Sequence, residues 1–526
     1  MAQISVNNLT FYYEGSFDNI FENVSFSIDT DWKLGFIGRN GKGKTTFLNL
    51  LLGKYEYKGS ISTKMVFDYF PYQLKAEYME QTAADFVEEL KCGVEQWRII
   101  CELDKLGLDG EILYRPFKTL SFGERTKVLL AVLFSGENEF LLIDEPTNHL
   151  DQESREIVKE YLSKKKGFIL VSHDRDFLDA CIDHVLVLNR QSIEVQSGNF
   201  TSWWENKNRQ DAFAQAENEK HLKEISKLQT AADQTRRWAE KSESTKIGFD
   251  PVKEHDRGVG TRAWIGAKTK KMQSRAKQIQ GRIEKEIEEK EGLLADIENP
   301  AALKIMPLTH HKERLLSAYD YGLRYLDDAK PLFENLRFEI AQGERVFLHG
   351  ANGCGKTSLI KAILEKAKYS AGENGAHKQN GTAAEQNPLT KLNLAESGTL
   401  QTASGLIISY INQDTSFLRG NIKGFCREKN LDESLLCAIL RQLDMERVQF
   451  EKNMEEYSEG QKKKVLIAAS LLTPAHLYIW DEPLNYIDVF SRMQIENLLL
   501  TYQPTMLVVD HDVRFREKIA TKTIRL

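Results

Sequence analysis

Short apolar runs alternate along the chain with stretches whose apolar residues recur at helical spacing. Leu34-Gly35-Phe36-Ile37 and Val346-Phe347-Leu348-His349 read as buried strands. Leu141-Leu142-Ile143-Asp144-Glu145 and Leu477-Tyr478-Ile479-Trp480-Asp481-Glu482 read the same way, and each ends in two carboxylates. Phe47-Leu48-Asn49-Leu50-Leu51-Leu52 and Leu359-Ile360-Lys361-Ala362-Ile363-Leu364 predict helices. Strands alternating with helices predict an α/β fold. From about Asn206 to Asn299 the pattern changes. Met272, Ala276, Ile279, Ile283, Ile287, Leu294 and Ile297 form a helical stripe, and Leu222, Ile225, Leu228 and Ala232 form a weaker one. Gly248, Pro251, Gly258 and Gly260 interrupt the pattern between them. Two long helices folded back on each other, with a tip at about Lys246 to Gly266, are predicted. A helix of ~30 residues would span ~45 Å.

The two flanks repeat each other. Phe21-Glu22-Asn23 recurs 312 residues on as Phe333-Glu334-Asn335. Gly38-Arg39-Asn40-Gly41-Lys42-Gly43-Lys44-Thr45 recurs at the same offset as Gly350-Ala351-Asn352-Gly353-Cys354-Gly355-Lys356-Thr357. Ser121 and Asp144-Glu145-Pro146 recur 337 residues on as Ser458 and Asp481-Glu482-Pro483, and His173 recurs 338 on as His511. The expected organisation is a first domain over 1–205, a helical hairpin over 206–299 and a second copy of the domain over 300–526. The offset grows because the second copy carries extra residues near Tyr369 to Gly405. That stretch is poor in large apolar side chains and is expected to form a flexible surface insert.

Each glycine loop fits G-x-x-x-x-G-K-[ST], preceded by a strand and followed by a helix, the context of a phosphate-binding loop. Glycines let backbone amides converge on phosphate oxygens, and the helix N-terminus adds positive potential. Lys44 and Lys356 are expected to reach the phosphates, Thr45 and Thr357 to ligate Mg²⁺, and Thr46 and Ser358 to close each loop. Asp144 and Asp481 suit the surroundings of the ion, and Glu145 and Glu482 can polarise an attacking water. His173 and His511, at strand ends 28 and 29 residues beyond their glutamates, suit contact with a γ-phosphate.

Leu120-Ser121-Phe122-Gly123-Glu124 and Tyr457-Ser458-Glu459-Gly460-Gln461 resemble the signature motif of ATP-binding-cassette ATPases, whose two cassettes stack head to tail. The resemblance implies two tandem P-loop cassettes joined by the hairpin. It implies one ATP site built on Lys44, Gln73, Asp144, Glu145 and His173 with Ser458 and Gly460. It implies a second built on Lys356, Gln413, Asp481, Glu482 and His511 with Ser121 and Gly123. Gln73 and Gln413 would join the Mg²⁺ residues, and Tyr13 and Tyr325 would stack on adenine. Two cassettes and a long charged linker resemble the ABC-F translation factors. Asp481-Glu482-Pro483-Leu484-Asn485-Tyr486-Ile487-Asp488, set against Asp144-Glu145-Pro146-Thr147-Asn148-His149-Leu150-Asp151, looks like the Lsa/Vga-type antibiotic-resistance branch.

Charge refines this picture. The chain of 526 residues carries a net charge of −6, which argues against a generally basic nucleic-acid binder. Arg257 to Lys285, however, holds nine Lys/Arg and one acidic residue, whereas Glu286 to Glu298 holds six acidic residues and one Lys. Such a basic row can neutralise RNA phosphates, and Trp264 and Phe249 can stack on bases. Arg257, Arg262, Lys268, Lys270 and Lys271 complete the expected RNA-contacting tip. No apolar run reaches the ~18 residues of a spanning helix. The six cysteines form no Cys-x-x-Cys pair, so reduced thiols are expected.

The resemblance implies a cytoplasmic, ribosome-associated ATPase using ATP and Mg²⁺. It would act as a monomer on the 70S ribosome, entering the exit-tRNA site beside the P-site tRNA and reaching 23S rRNA near the peptidyl-transferase centre. There it would protect against pleuromutilins, lincosamides and streptogramin A, and ATP hydrolysis would release it. The alternatives are a factor relieving stalled ribosomes without a drug role, and the ATPase subunit of a membrane transporter.

Overall fold

The protein is described from a computed structural model. It covers residues 3–13, 19–91, 93–148, 150–189, 192–244, 303–327, 330–370 and 393–526, with separate helical positions between 270 and 285. The chain divides into two compact units, Met1–Trp203 with Ala301–Leu526, and Trp204–Pro300.

The first unit contains both cassettes. In the first cassette the strands are β1 (Gln3–Phe11), β2 (Phe21–Asp29), β3 (Lys33–Ile37), β4 (Lys58–Ser62), β5 (Val66–Phe70), β6 (Glu139–Asp144), β7 (Phe168–Val171), β8 (His184–Leu188) and β9 (Ile193–Ser197). β2-β1-β4 form an antiparallel sheet. The second sheet has the order β5-β6-β7-β3-β8-β9 and is parallel except for β9. Its central strands are apolar on both faces, as in Phe168–Val171, all of them buried. The helix Lys44–Leu51 inserts Phe47 and Leu48 between the two sheets, where Phe47 packs against Phe21, Phe26 and Phe36.

The second cassette repeats the plan. Its strands are β10 (Arg314–Tyr325), β11 (Pro331–Ala341), β12 (Arg345–His349), β13 (Leu394–Thr402), β14 (Ile408–Ile411), β15 (Leu477–Asp481), β16 (Met506–Val509) and β17 (Lys522–Arg525). The sheets run β11-β10-β13 and β14-β15-β16-β12-β17, the latter wholly parallel. β13 corrects the expected flexible insert over 369–405. Residues 394–402 pair with β10, and Leu394 and Leu400 enter the core. Composition averaged over the whole segment concealed two leucines that a strand directs inward. Residues 371–392 lie outside the described residues.

A single helix of 45 residues, Phe200–Ser244, most of it within the second unit, covers the first half of the expected hairpin and is about 68 Å long. Lys270 and Lys271 are helical and exposed. Phe249, Arg257, Arg262, Trp264 and Lys268 lie outside the described residues. Among the described residues no helix is long and apolar enough to cross a membrane.

Charged side chains join the cassettes. Glu496 is fully buried and accepts from Arg175 of the first cassette and from Lys518 at 3.0 Å. Arg514 pairs with Asp176 and, at 2.6 Å, with Asp179. Removing one partner of a buried pair leaves an uncompensated charge. Arg175→Met is therefore expected to destabilise the unit by about 3 kcal/mol, seen as a lower urea midpoint; an unchanged midpoint would contradict this role.

Candidate functional site

Each phosphate-binding loop joins a central strand to a helix. Gly41 and Gly43 adopt φ of 81° and 104°, and Gly353 and Gly355 adopt 82° and 99°, conformations that favour glycine. Lys44 is buried and its Nζ donates to the Gly38 carbonyl at 2.6 Å and the Arg39 carbonyl at 3.2 Å. Lys356 Nζ donates to Gly350 and Ala351 at 2.8 and 2.9 Å. Both ammonium groups thus sit inside the curl of their loops. Tyr13 Oη lies 2.8 Å from Thr46 Oγ1 and Tyr325 Oη 3.3 Å from Ser358 Oγ, which places both rings beside the loops with partly exposed faces.

The carboxylates stand where expected, at the ends of β6 and β15. Thr45 donates to Asp144 at 3.1 Å and Thr357 to Asp481 at 2.9 Å. Glu145 and Glu482 take left-handed φ of 51° and 48°, and their amides bond the Val171 and Val509 carbonyls at 2.9 Å. This turn separates the neighbours, with the aspartate facing the loop threonine and the glutamate facing the histidine. His173 Nε2 lies 3.4 Å from Glu145 and His511 Nε2 3.8 Å from Glu482. Burial and then the Lys44 ammonium push His173 well below its ordinary pKa, and burial and then Arg155 push His511 down to about 3. Both imidazoles are neutral at pH 7, so neither contact is an ion pair. Burial and then the Asp144 charge raise Glu145 to about 8. Burial raises Asp481 to about 6, against the Thr357 hydrogen bond. Asp481 Oδ1 is buried without a hydrogen-bond partner, and Thr357 and Asp481 are hard oxygen donors, so the pair fits a Mg²⁺ ion. Gln413 Nε2 donates to Glu482 at 2.9 Å, whereas Gln73 is exposed.

The signature segments meet the opposite cassette. Ser458 caps the helix Glu459–Leu472 and Ser121 caps Phe122–Leu133, each in a reciprocal box with Gln461 or Glu124. A Cβ on Gly460 would lie 2.6 Å from the Tyr486 carbonyl and 3.4 Å from Asn40 Nδ2. Asn40, in the first cassette's loop, donates to that Tyr486 carbonyl at 2.8 Å. The first phosphate-binding loop is therefore in contact with the second cassette beside Gly460. At the other site a cavity of about 550 Å³ is lined by Lys356, Thr357, Tyr325, Gln413, Glu482 and His511, and by Phe122 and Arg155 of the first cassette. Phe122, flanked by Ser121 and Gly123, is the signature residue lining it.

Several residues that face these sites carry no assigned role in the sequence patterns. Lys464 and Asp488 are buried and pair at 3.0 Å. Burial alone would raise the Asp488 pKa, but Lys464 and the Ser491 amide hold it well below the carboxylate range. Arg492 Nε donates to the Ile487 carbonyl at 2.9 Å, as Arg155 Nε does to the Leu150 carbonyl at 3.1 Å. All belong to the 337-residue offset, since Lys127, Asp151 and Arg155 precede Lys464, Asp488 and Arg492 by that interval. Carrying the offset past the motifs would have found them.

Residues 21–148 and 333–485 match the ABC transporter family model. The chain is 28% identical to ribosome protection protein VmlR of Bacillus subtilis, over 96% of this chain and 84% of that protein. It is 27% identical to the uncharacterized ABC transporter ATP-binding protein YfmM of the same organism, over 96% and 95%. In structure it resembles a chain of the complex of archaeal ribosomal stalk protein aP1 and archaeal ribosome recycling factor aABCE1. The TM-score is 0.57, with 17% identity over 98% of this chain and 87% of that one.

The raised Glu145 pKa has a consequence for stability. The folded protein holds a proton there that an unfolded glutamate, at about 4.3, has released. That stabilisation is full below about pH 4 and is lost as pH rises through about 8. Between pH 7 and pH 9 the ligand-free protein should lose about 1 kcal/mol that Glu145→Gln keeps. Urea unfolding of both proteins at the two pH values checks this, and equal losses would refute it.

Proposed function

The chain belongs to the ABC transporter family, in its ABC-F branch, and is an ATPase; from that premise we propose that it is a ribosome protection factor. In this reading ATP closes the two cassettes around two nucleotides. The closed form binds the exit-tRNA site of the cytoplasmic 70S ribosome, and the linker reaches 23S rRNA and the P-site tRNA near the peptidyl-transferase centre. Occupancy there opposes pleuromutilins, lincosamides and streptogramin A, and hydrolysis releases the factor.

The residues divide the chemistry between them. Lys44 and Lys356 hold phosphate charge within the glycine loops, and the rings of Tyr13 and Tyr325 offer faces to adenine. Ser458 and Gly460 complete the first site, and the Ser121–Gly123 segment the second. The Thr45–Asp144 and Thr357–Asp481 pairs would hold Mg²⁺, which when bound supplies positive charge against the phosphates. Gln73 and Gln413 would join these Mg²⁺ residues, one in each site. Glu145 and Glu482 orient water and accept its proton, a role to which a pKa near the working pH suits Glu145. His173 and His511, being neutral, can donate a hydrogen bond to a phosphate oxygen without competing for the proton.

The observation that supports the ribosomal part is similarity over nearly the whole chain to a relative named as a ribosome protection protein. A second reading, a factor that relieves stalled ribosomes with no drug role, shares the same architecture; YfmM, named only as an ABC transporter ATP-binding protein, is almost as similar over more of its own length. Glu145→Gln with Glu482→Gln is expected to bind ATP, to turn it over at least about 100-fold more slowly, and to sediment with 70S ribosomes only when ATP is present. Translation in the presence of a lincosamide then separates the two readings. An ATP-binding double variant that stays in the supernatant would defeat both and leave the transporter subunit.

A further inference from the structure

The two ATP sites differ at one buried cation. Lys463 lies on the helix Glu459–Leu472, five residues after Ser458, and is 3% exposed. Its Nζ donates to the Asn412 carbonyl at 3.0 Å. Asn412 precedes Gln413, whose amide donates to Glu482 at 2.9 Å. A second tie lies beside the first, where Thr415 Oγ1 donates to Glu459 at 2.6 Å. The segment after β14 is thus fastened twice to the N-terminal turns of the signature helix, with Gln413 between the fastenings. Burial lowers the pKa of Lys463, and the carboxylates of Glu482, Asp481 and Asp510 oppose that shift. Among the described residues the first cassette shows no equivalent, because its residue at the same offset is Thr126, whose hydroxyl donates to the Phe122 carbonyl of its own helix at 3.0 Å.

We propose that Lys463 is a positioning residue of the second ATP site, tying the Gln413 segment to the signature helix so that the Gln413 amide holds Glu482 in place for hydrolysis. The physical case is one of alignment. A glutamate that must address a water loses rate when it swings by a fraction of an ångström, and a hydrogen-bonded amide limits that swing. An amide at the end of a loop is only as fixed as the loop. Lys463 fixes the loop from a helix whose other end is in the core. Because the first site has a threonine there, the two sites differ in how firmly their glutamates are held. The inference rests on the ATPase activity alone and not on the ribosomal reading.

Steady-state phosphate release tests it, measured without ribosomes on the full chain carrying Glu145→Gln, so that turnover reports the second site. Lys463→Met should lower kcat about 10-fold with KM for ATP within about twofold, and Lys463→Arg should recover most of the loss. In a Gln413→Ala background Lys463→Met should cost less than about twofold, because both changes remove the same restraint. An undiminished loss in that background, a change in KM alone, or an arginine variant no better than methionine would each overturn the proposal. If Lys463→Met fails to bind ATP, Lys463→Gln carries the same cycle and is judged by the same outcomes.

Discussion

Two adjacent carboxylates at the end of a buried strand set the terms for each cassette. Asp144-Glu145 and Asp481-Glu482 follow apolar strands whose partners β7 and β16 are also buried, and water cannot solvate both charges there. Burial raises the pKa of Asp144, Glu145 and Asp481 alike. The backbone answers first, with a left-handed glutamate that sends neighbouring side chains in different directions, at a strain of about 1 kcal/mol or more. Side chains answer next, since each aspartate accepts a loop threonine and Asp144 also accepts Tyr69 at 3.1 Å. The register of the parallel sheet, with Asp144 opposite Val171 and Asp481 opposite Val509, brings the histidines that follow β7 and β16 to the same spot.

The remaining compensation comes from the other cassette. Arg492 opposes the raised pKa of Glu145 across the interface, and Arg155 lines the cavity of the second site. Both arginines also hold the carbonyl just before Asp151 or Asp488, so the side chain that supplies charge also shapes the loop presented to the opposite site. Separation of the cassettes would remove shape and charge together. The same two residues therefore tie the electrostatics of each candidate site to contact between the cassettes.

Much of this was legible in the sequence because repetition made it so. The glycine loops, carboxylate pairs and histidines recur at fixed offsets, and each motif implies its own local geometry. The cross-cassette set was harder. Lys464 and Arg492 carry no motif of their own chemistry, and Arg492 matters through the Glu145 carboxylate that the other cassette places near it. β13 was missed because its leucines follow a polar stretch and take their meaning only from pairing with β10. Charge patterning in the linker is a statement about composition, and most of its expected contact residues lie outside the described ones.

Duplication preserved the skeleton of the sites and not their wiring. In the first site Asp144 receives both Thr45 and Tyr69, while Glu145 Oε1 is buried without a hydrogen-bond partner. In the second, Glu482 receives Gln413 and Asn485, the latter at 2.7 Å, and it is Asp481 Oδ1 that is left without one. An unsatisfied buried oxygen costs about 1–3 kcal/mol, recovered by whatever next hydrogen-bonds or coordinates it. The first site therefore leaves a glutamate oxygen without a partner, and the second an aspartate oxygen beside the loop threonine. Equivalent motifs in tandem thus need not yield equivalent sites, because the hydrogen bonds around a motif, which the repeat does not copy, decide which of its atoms is still seeking a partner.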